Sequence, residues 1–169
     1  GVSLLHLADD QTACSEFCPW VCFRSCSRRV PVSAGFQAVV LCGGTGSRLR
    51  AVLGTTPKQL APVADCPLLA HLLEGLHTGG ADDVLLLAGV GGAAVAAAAT
   101  ALAPPRLPVR TLIEETPRGT AGALHQAAPH LRSRFVLVYG DVFCAVDWPR
   151  FWSRAVDRGG LGLLFAHRS

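Results

Sequence analysis

The sequence predicts an α/β protein, a mainly parallel sheet covered by helices on both faces. Three observations carry that expectation. From Phe36 onward, short apolar runs of strand length alternate with helical runs, the rhythm of strand–crossover–strand units. The first such run empties directly into the glycine-rich turn Gly43-Gly44-Thr45-Gly46. A later run ends in Gly140-Asp141, and open α/β sheets bind ligands outside the carboxyl ends of their strands.

Taken in order, Phe36 to Leu41 reads as the first strand, with Val39, Val40 and Leu41 continuous and apolar as in a strand buried on both faces. Pro67 then opens a helix whose leucines fall at 68, 69, 72, 73 and 76 and which the glycines at 79 and 80 stop. Asp82-Asp83 gives way to the strand VLLLAG, and the alanine-rich stretch GGAAVAAAATALA forms a helix ended by Pro104-Pro105. Val109 to Ile113 is a third strand leading into Glu114 and Glu115. Gly119 to Ala128 is a helix with Pro129 near its end, and Arg134 to Tyr139 a fourth strand. Trp148 to Val156 reads as a helix capped by Asp147 with Pro149 in its first turn, and Leu161 to Ala166 as a fifth strand.

Composition bounds the rest. The 169 residues suffice for one domain with a real core, half of them are hydrophobic, and mean hydropathy is +0.38. A net charge of +3 is too small to imply a nucleic-acid partner, and no apolar run reaches transmembrane length, so neither nucleic acid nor a membrane is expected. Residues 1–33 differ from the rest of the chain: Cys14, Cys18, Cys22 and Cys26 recur every four residues. Zinc sites favour two close pairs, and Pro19 interrupts any helical stripe of sulfurs, so an irregular, non-catalytic extension is expected ahead of a domain over 34–169. Nothing in it resembles a secretory leader, which points to the cytoplasm. Cys42, Cys66 and Cys144 read as small buried residues, and the histidines form no metal-binding grouping.

The glycine turn suits a polyanion, because glycines let backbone N–H groups approach phosphates that side chains would block. Arg48 adds a planar donor fork, and Lys58, set by Pro57, a second cation ten residues later. GxxxxGK[ST] fails because Ser47-Arg48 follows Gly46; GxGxxG fails because Leu49 stands at the third glycine. That second failure weighs against a dinucleotide oxidoreductase.

GGTGSRL followed by PKQLAPV resembles the signature of sugar-phosphate nucleotidyltransferases, usually written GGxGTRL…PKxLxPV, with Ser47 where threonine is common. PRGTAGAL, Pro117 to Leu124, is similar to a second stretch of that family. The resemblance covers about Phe36 to Arg168, and implies a Rossmann-like fold of the nucleotide-diphospho-sugar transferase type, truncated at the C-terminus relative to full-length relatives. It implies transfer of a nucleoside monophosphate from an NTP to a sugar 1-phosphate, with Mg²⁺ as cofactor. Arg48 and Lys58 would be the catalytic cations and Asp141 the metal ligand. Leu41, Gly43, Gly44, Thr45, Gly46 and Ser47 would line the nucleotide, with Glu114, Gly119, Thr120 and Gly122 beside its base or ribose. Arg48-Leu49-Arg50-Ala51, without the proline of the RLxP common in thymidylyl and uridylyl relatives, looks closest to the hexose or manno-heptose 1-phosphate guanylyltransferase branch. A non-catalytic nucleotide-binding module stays open as the alternative, as does assembly into a homo-oligomer.

Overall fold

A computed structural model describes residues 35–44, 53–89, 91–143, 145–158 and 162. The cysteine-rich segment and the strand expected at Leu161 to Ala166 lie outside these residues, Gly162 apart. Ala34–Trp148 forms one compact unit, and the chain from Pro149 onward belongs to another.

The first unit is built on a four-stranded sheet of β1 (Phe36–Cys42), β4 (Ala81–Ala88), β5 (Val109–Ile113) and β6 (Val136–Tyr139). Their order is β5-β4-β1-β6 and every neighbouring pair is parallel. All seven residues of β1 are buried. Because side chains alternate across a strand, β1 and β4 each supply two apolar faces. Val39, Leu41, Leu85 and Leu87 form one core with Ala123 and Ala127 of helix α3 (Gly119–Ala127). On the other face, the start of helix α2 (Gly92–Leu102) lies against Ala88 and Ile113, and helix α1 (Leu68–Thr78) packs beside α2 and β4. The buried leucines of α1, at 69, 72, 73 and 76, keep the i, i+3, i+4, i+7 spacing of one helix face. No helix among the described residues is long and apolar enough to cross a membrane.

Several boundaries differ from the sequence expectation, each for a physical reason. Pro67 is not the first helical residue. It precedes α1 and pairs with Pro62 in a small antiparallel hairpin of β2 (Pro62–Val63) and β3 (Cys66–Pro67). The sequence does not announce this hairpin because its turn carries no glycine: Ala64 and Asp65 both sit at positive φ, 46° and 69°. β6 begins at Val136 rather than Arg134, and helix α4 (Trp148–Arg158) runs two residues beyond Val156.

The largest difference is at β4, which starts at Ala81, so that Asp82 and Asp83 lie within the strand. Asp83 is buried there because its charge is answered. Gln37 Nε2 donates to Asp83 Oδ2 at 2.7 Å, and Arg110 Nη2 donates to the same oxygen at 2.8 Å. Gln37 in turn donates to the His130 carbonyl at 3.0 Å and accepts from the Arg132 N–H at 2.8 Å. This clamp joins β1, β4, β5 and the chain entering β6 at the amino end of the sheet. Removing the carboxylate leaves one N–H of the buried Gln37 amide, and the Arg110 guanidinium, without this acceptor. Asp83→Ala is therefore expected to cost about 1–3 kcal/mol in urea unfolding, whereas Asp82→Ala, which breaks an exposed pair with Arg132, should cost below about 1 kcal/mol.

Candidate functional site

The parallel register decides where the site lies. Cys42 is paired with Ala88, Ala88 with Ile113, and Leu41 with Tyr139, so four strands end together at one edge. Each is followed by a residue singled out from the sequence or by a small one. β1 gives Gly43 and Gly44, β4 gives Gly89, β5 gives Glu114 and β6 gives Gly140-Asp141. Gly44 has φ +125°, a backbone conformation L side chains rarely adopt, and a Cβ on Gly43 or Gly44 would meet nothing within 4 Å among the described residues. At Gly43 and Gly44 the backbone is thus open on its outer side among the described residues. Leu41 is buried at the end of β1 rather than lying in the open turn. Thr45, Gly46, Ser47 and Arg48, and with them Arg50 and Ala51, lie outside the described residues.

Lys58 and Asp141, 83 positions apart, meet at this edge with Nζ 3.2 Å from Oδ2. The two arrive by different routes. Lys58 opens a 3-10 turn, Lys58–Leu60, whose preceding proline lies close to Gly91 at the start of α2. Asp141 is aimed by Gly140, whose N–H donates to the Leu41 carbonyl at 2.9 Å. A Cβ on Gly140 would lie 3.0 Å from both Leu41 O and Cys42 Sγ, a tight fit that β1 would have to relieve by a few tenths of an ångström. The side chains of Lys58 and Asp141 keep 30% and 40% of their surface exposed, and such a pair contributes at most about 1 kcal/mol to stability. Stability does not explain why the only lysine in the sequence stands here. A charge pair open to solvent at the ligand edge can exchange each partner for a ligand's opposite charge.

Glu114 is held by its own backbone, its N–H donating to the Ala88 carbonyl at 2.7 Å. Its carboxylate Oε1 is buried and has no hydrogen-bond partner among the described residues. A buried acceptor left without a donor is costly in a finished protein, and a ligand that donates there removes the cost. Gly119 starts α3 with φ +69°, Thr120 is exposed in its first turn, and Arg118 lies over Gly122 so closely that a Cβ at 122 would clash. A recess of about 380 Å³ lined by Ile113, Glu115, Thr116, Arg118 and Gln126 adjoins Glu114 in the chain; neither Lys58 nor Asp141 lines it. Asp147 directly precedes α4, the place expected of a cap.

His71 is a residue that sequence reasoning misses, because leucine spacing marks it only as part of a helix. Its Nε2 lies 2.8 Å from the Val63 carbonyl and its ring meets Phe143 edge-on. No local signal could have found it, since the contact depends on the hairpin. Cys42 is buried as expected, Cys66 is only half-buried, and Cys144 lies outside the described residues. Burial, and secondarily the Asp141 charge, push the Cys42 thiol up to about 12. Reactivity follows the thiolate, so at pH 8 Cys42 should resist a thiol reagent that modifies Cys66, and should react only on unfolding. Asp141→Asn removes the smaller cause and should lower the pH at which Cys42 begins to react; peptide mapping of alkylated protein across pH 7–11 reads both.

A family model described as Nucleotidyl transferase matches residues 37–168. D-glycero-alpha-D-manno-heptose 1-phosphate guanylyltransferase of Campylobacter jejuni is 29% identical over 117 residues, 66% of this chain and 50% of that protein. Mannose-1-phosphate guanylyltransferase of Mycobacterium tuberculosis is 35% identical over 112 residues, 66% of this chain and 31% of that protein. The chain thus spans half of the first relative and less than a third of the second. Among solved structures, HddC from Yersinia pseudotuberculosis, alone and complexed with GMP-PN, superposes with a TM-score of 0.65 at 29% identity. That likeness covers 72% of this chain and 55% of HddC.

Proposed function

The chain belongs to the nucleotidyl transferase family, and from that premise we propose that the protein transfers a nucleoside monophosphate from an NTP to a sugar 1-phosphate. A phosphate oxygen of the sugar attacks the α-phosphorus, the new P–O bond forms, and the bond to the β-phosphate oxygen breaks to release pyrophosphate. The observation that carries this is the Lys58–Asp141 pair, 3.2 Å apart, at the same sheet edge as the open glycine turn.

A sugar phosphate is already an anionic nucleophile, so the reaction needs no serine or histidine base. It needs alignment and neutralisation of charge on the phosphates. Lys58 would leave Asp141 for the α-phosphate and the incoming phosphate, and Arg48, next in the signature after the glycine turn, would hold the β- and γ-phosphates. The glycine turn would take the nucleotide on its backbone N–H groups. Asp141 fits a magnesium ion. It offers a hard oxygen at the carboxyl edge of the sheet. Mg²⁺ is held by one or two carboxylates, with phosphates and waters completing its shell. When bound it would neutralise phosphate charge. The reaction consumes nucleoside triphosphate, which fits a cytoplasmic location.

The base we propose is guanine. The two relatives named above are guanylyltransferases, and Glu114 Oε1 has no donor among the described residues. The guanine edge supplies two adjacent donors, N1–H and the N2 amino group, where a pyrimidine-2,4-dione offers one flanked by carbonyls that would repel a carboxylate.

Three outcomes test these statements. With wild-type protein, affinity for GTP should rise sharply with Mg²⁺, whereas Asp141→Asn should bind with little magnesium dependence and an intact fold; equal dependence in both removes Asp141 as the metal ligand. Glu114→Gln should reduce the preference for GTP over UTP and dTTP by about tenfold or more, read by competition among five NTPs. A wild-type preference for a pyrimidine nucleotide would sink the guanine assignment. In a pyrophosphate-release assay over a panel of sugar 1-phosphates, Arg48→Ala and Lys58→Ala should each lower turnover by about 10²-fold or more. Nucleotide binding without release under every sugar would leave a binding module instead of an enzyme.

A further inference from the structure

We propose that His71 is a positioning residue, a strut that fixes the separation between the segment bearing Lys58 and the segment bearing Asp141. Its imidazole touches both. Val63, five residues after Lys58, accepts a hydrogen bond from His71 Nε2 at 2.8 Å. A carbonyl can only accept, so this nitrogen carries the hydrogen. Phe143, two residues after Asp141, meets the same ring, centroid to centroid 6.4 Å at 76°. That edge-on geometry is the favoured one for rings in contact. Phe143 is 56% exposed, so burial in the core is not what sets its place.

The hairpin needs such a tie. Its turn holds Ala64 and Asp65 in the left-handed region, where neither residue rests without cost, and at its base only two backbone pairs join β2 to β3. The Leu68 N–H to Ala61 carbonyl bond, 2.9 Å, anchors the foot of the hairpin, and His71 anchors the strand itself to α1. α1 presents four buried leucines to the core, which makes it a rigid mount.

The strut's part in catalysis rests on the proposed nucleotidyl transfer. Once Lys58 turns to phosphate, its pair with Asp141 opens and no longer holds the two segments together. The Val63–His71–Phe143 link does not involve either charge, so it persists with ligand bound and keeps lysine and aspartate at a working distance.

Lys58 is the only lysine in the sequence, which makes this measurable without any nucleotide: peptide mapping reads its modification by an amine-specific reagent apart from that of any other amine. Asp141→Asn should raise the rate of Lys58 labelling by about two- to fivefold, the factor expected for losing one exposed ion pair. His71→Ala should raise it comparably at a nearly unchanged melting temperature, and Phe143→Ala, at an exposed position, should do the same should the histidine variant fold poorly. His71→Gln, which keeps an N–H donor for Val63, should return the rate toward wild type. Labelling at the wild-type rate in His71→Ala and Phe143→Ala, beside acceleration in Asp141→Asn, overturns the strut. No acceleration in Asp141→Asn overturns it too, since the pair it steadies would then not form. In turnover, His71→Ala should lower kcat by about tenfold or more with KM for NTP unchanged. An unchanged kcat beside faster labelling overturns the positioning role. Absence of NTP binding in wild type would sink the proposed function, while the labelling rates still decide the strut.

Discussion

The arrangement depends on one constraint, the in-register burial of β1 between two parallel neighbours. Every side chain of the strand is inside, and its backbone is paired with β4 on one side and β6 on the other. A one-residue slip would send Val39 and Leu41 out of the core they form with α3 and replace them with their opposite-facing neighbours. Because β1 cannot slip, the ends of β4 and β6 are fixed relative to Gly43. Asp141 arrives beside the turn for the same reason that Leu41 faces Tyr139.

The two ends of the sheet treat polar groups in opposite ways. At the amino end, Gln37, Asp83 and Arg110 satisfy one another and reach the chain before β6. At the carboxyl end, Glu114 keeps a buried oxygen without a partner among the described residues, and Lys58 and Asp141 share a bond open to water. One end is closed chemistry and the other is unfinished. Polar groups at the first lower the free energy of the fold; those at the second are held ready at some cost to it.

The features legible in the sequence are those that rest on local pattern. β5 is readable to the residue from Val109 to Ile113, and the leucine spacing of α1 and the glycine stops are equally plain. The convergence of Gly43, Glu114 and Asp141 comes from counting strands and knowing which end of a parallel sheet takes ligands. The illegible features depend on partners distant in sequence. Asp83 looks like a turn residue until Gln37 and Arg110 are beside it, and the hairpin at 62–67 lacks the glycine that would announce its turn. His71 is invisible for the same reason. Its partners, Val63 and Phe143, lie eight residues before it and seventy-two after it.

The amino-end clamp also bears on how such a chain can change over generations. Stability held at the end remote from the ligand leaves substitutions at Glu114, Thr120 or the loop after Asp141 largely free of the fold. A lineage built on this plan can therefore change what the open edge binds by altering that edge alone, while selection on folding acts mainly on Gln37, Asp83 and the strands between. Diversity of substrates on a single architecture is then an outcome of where the polar network sits.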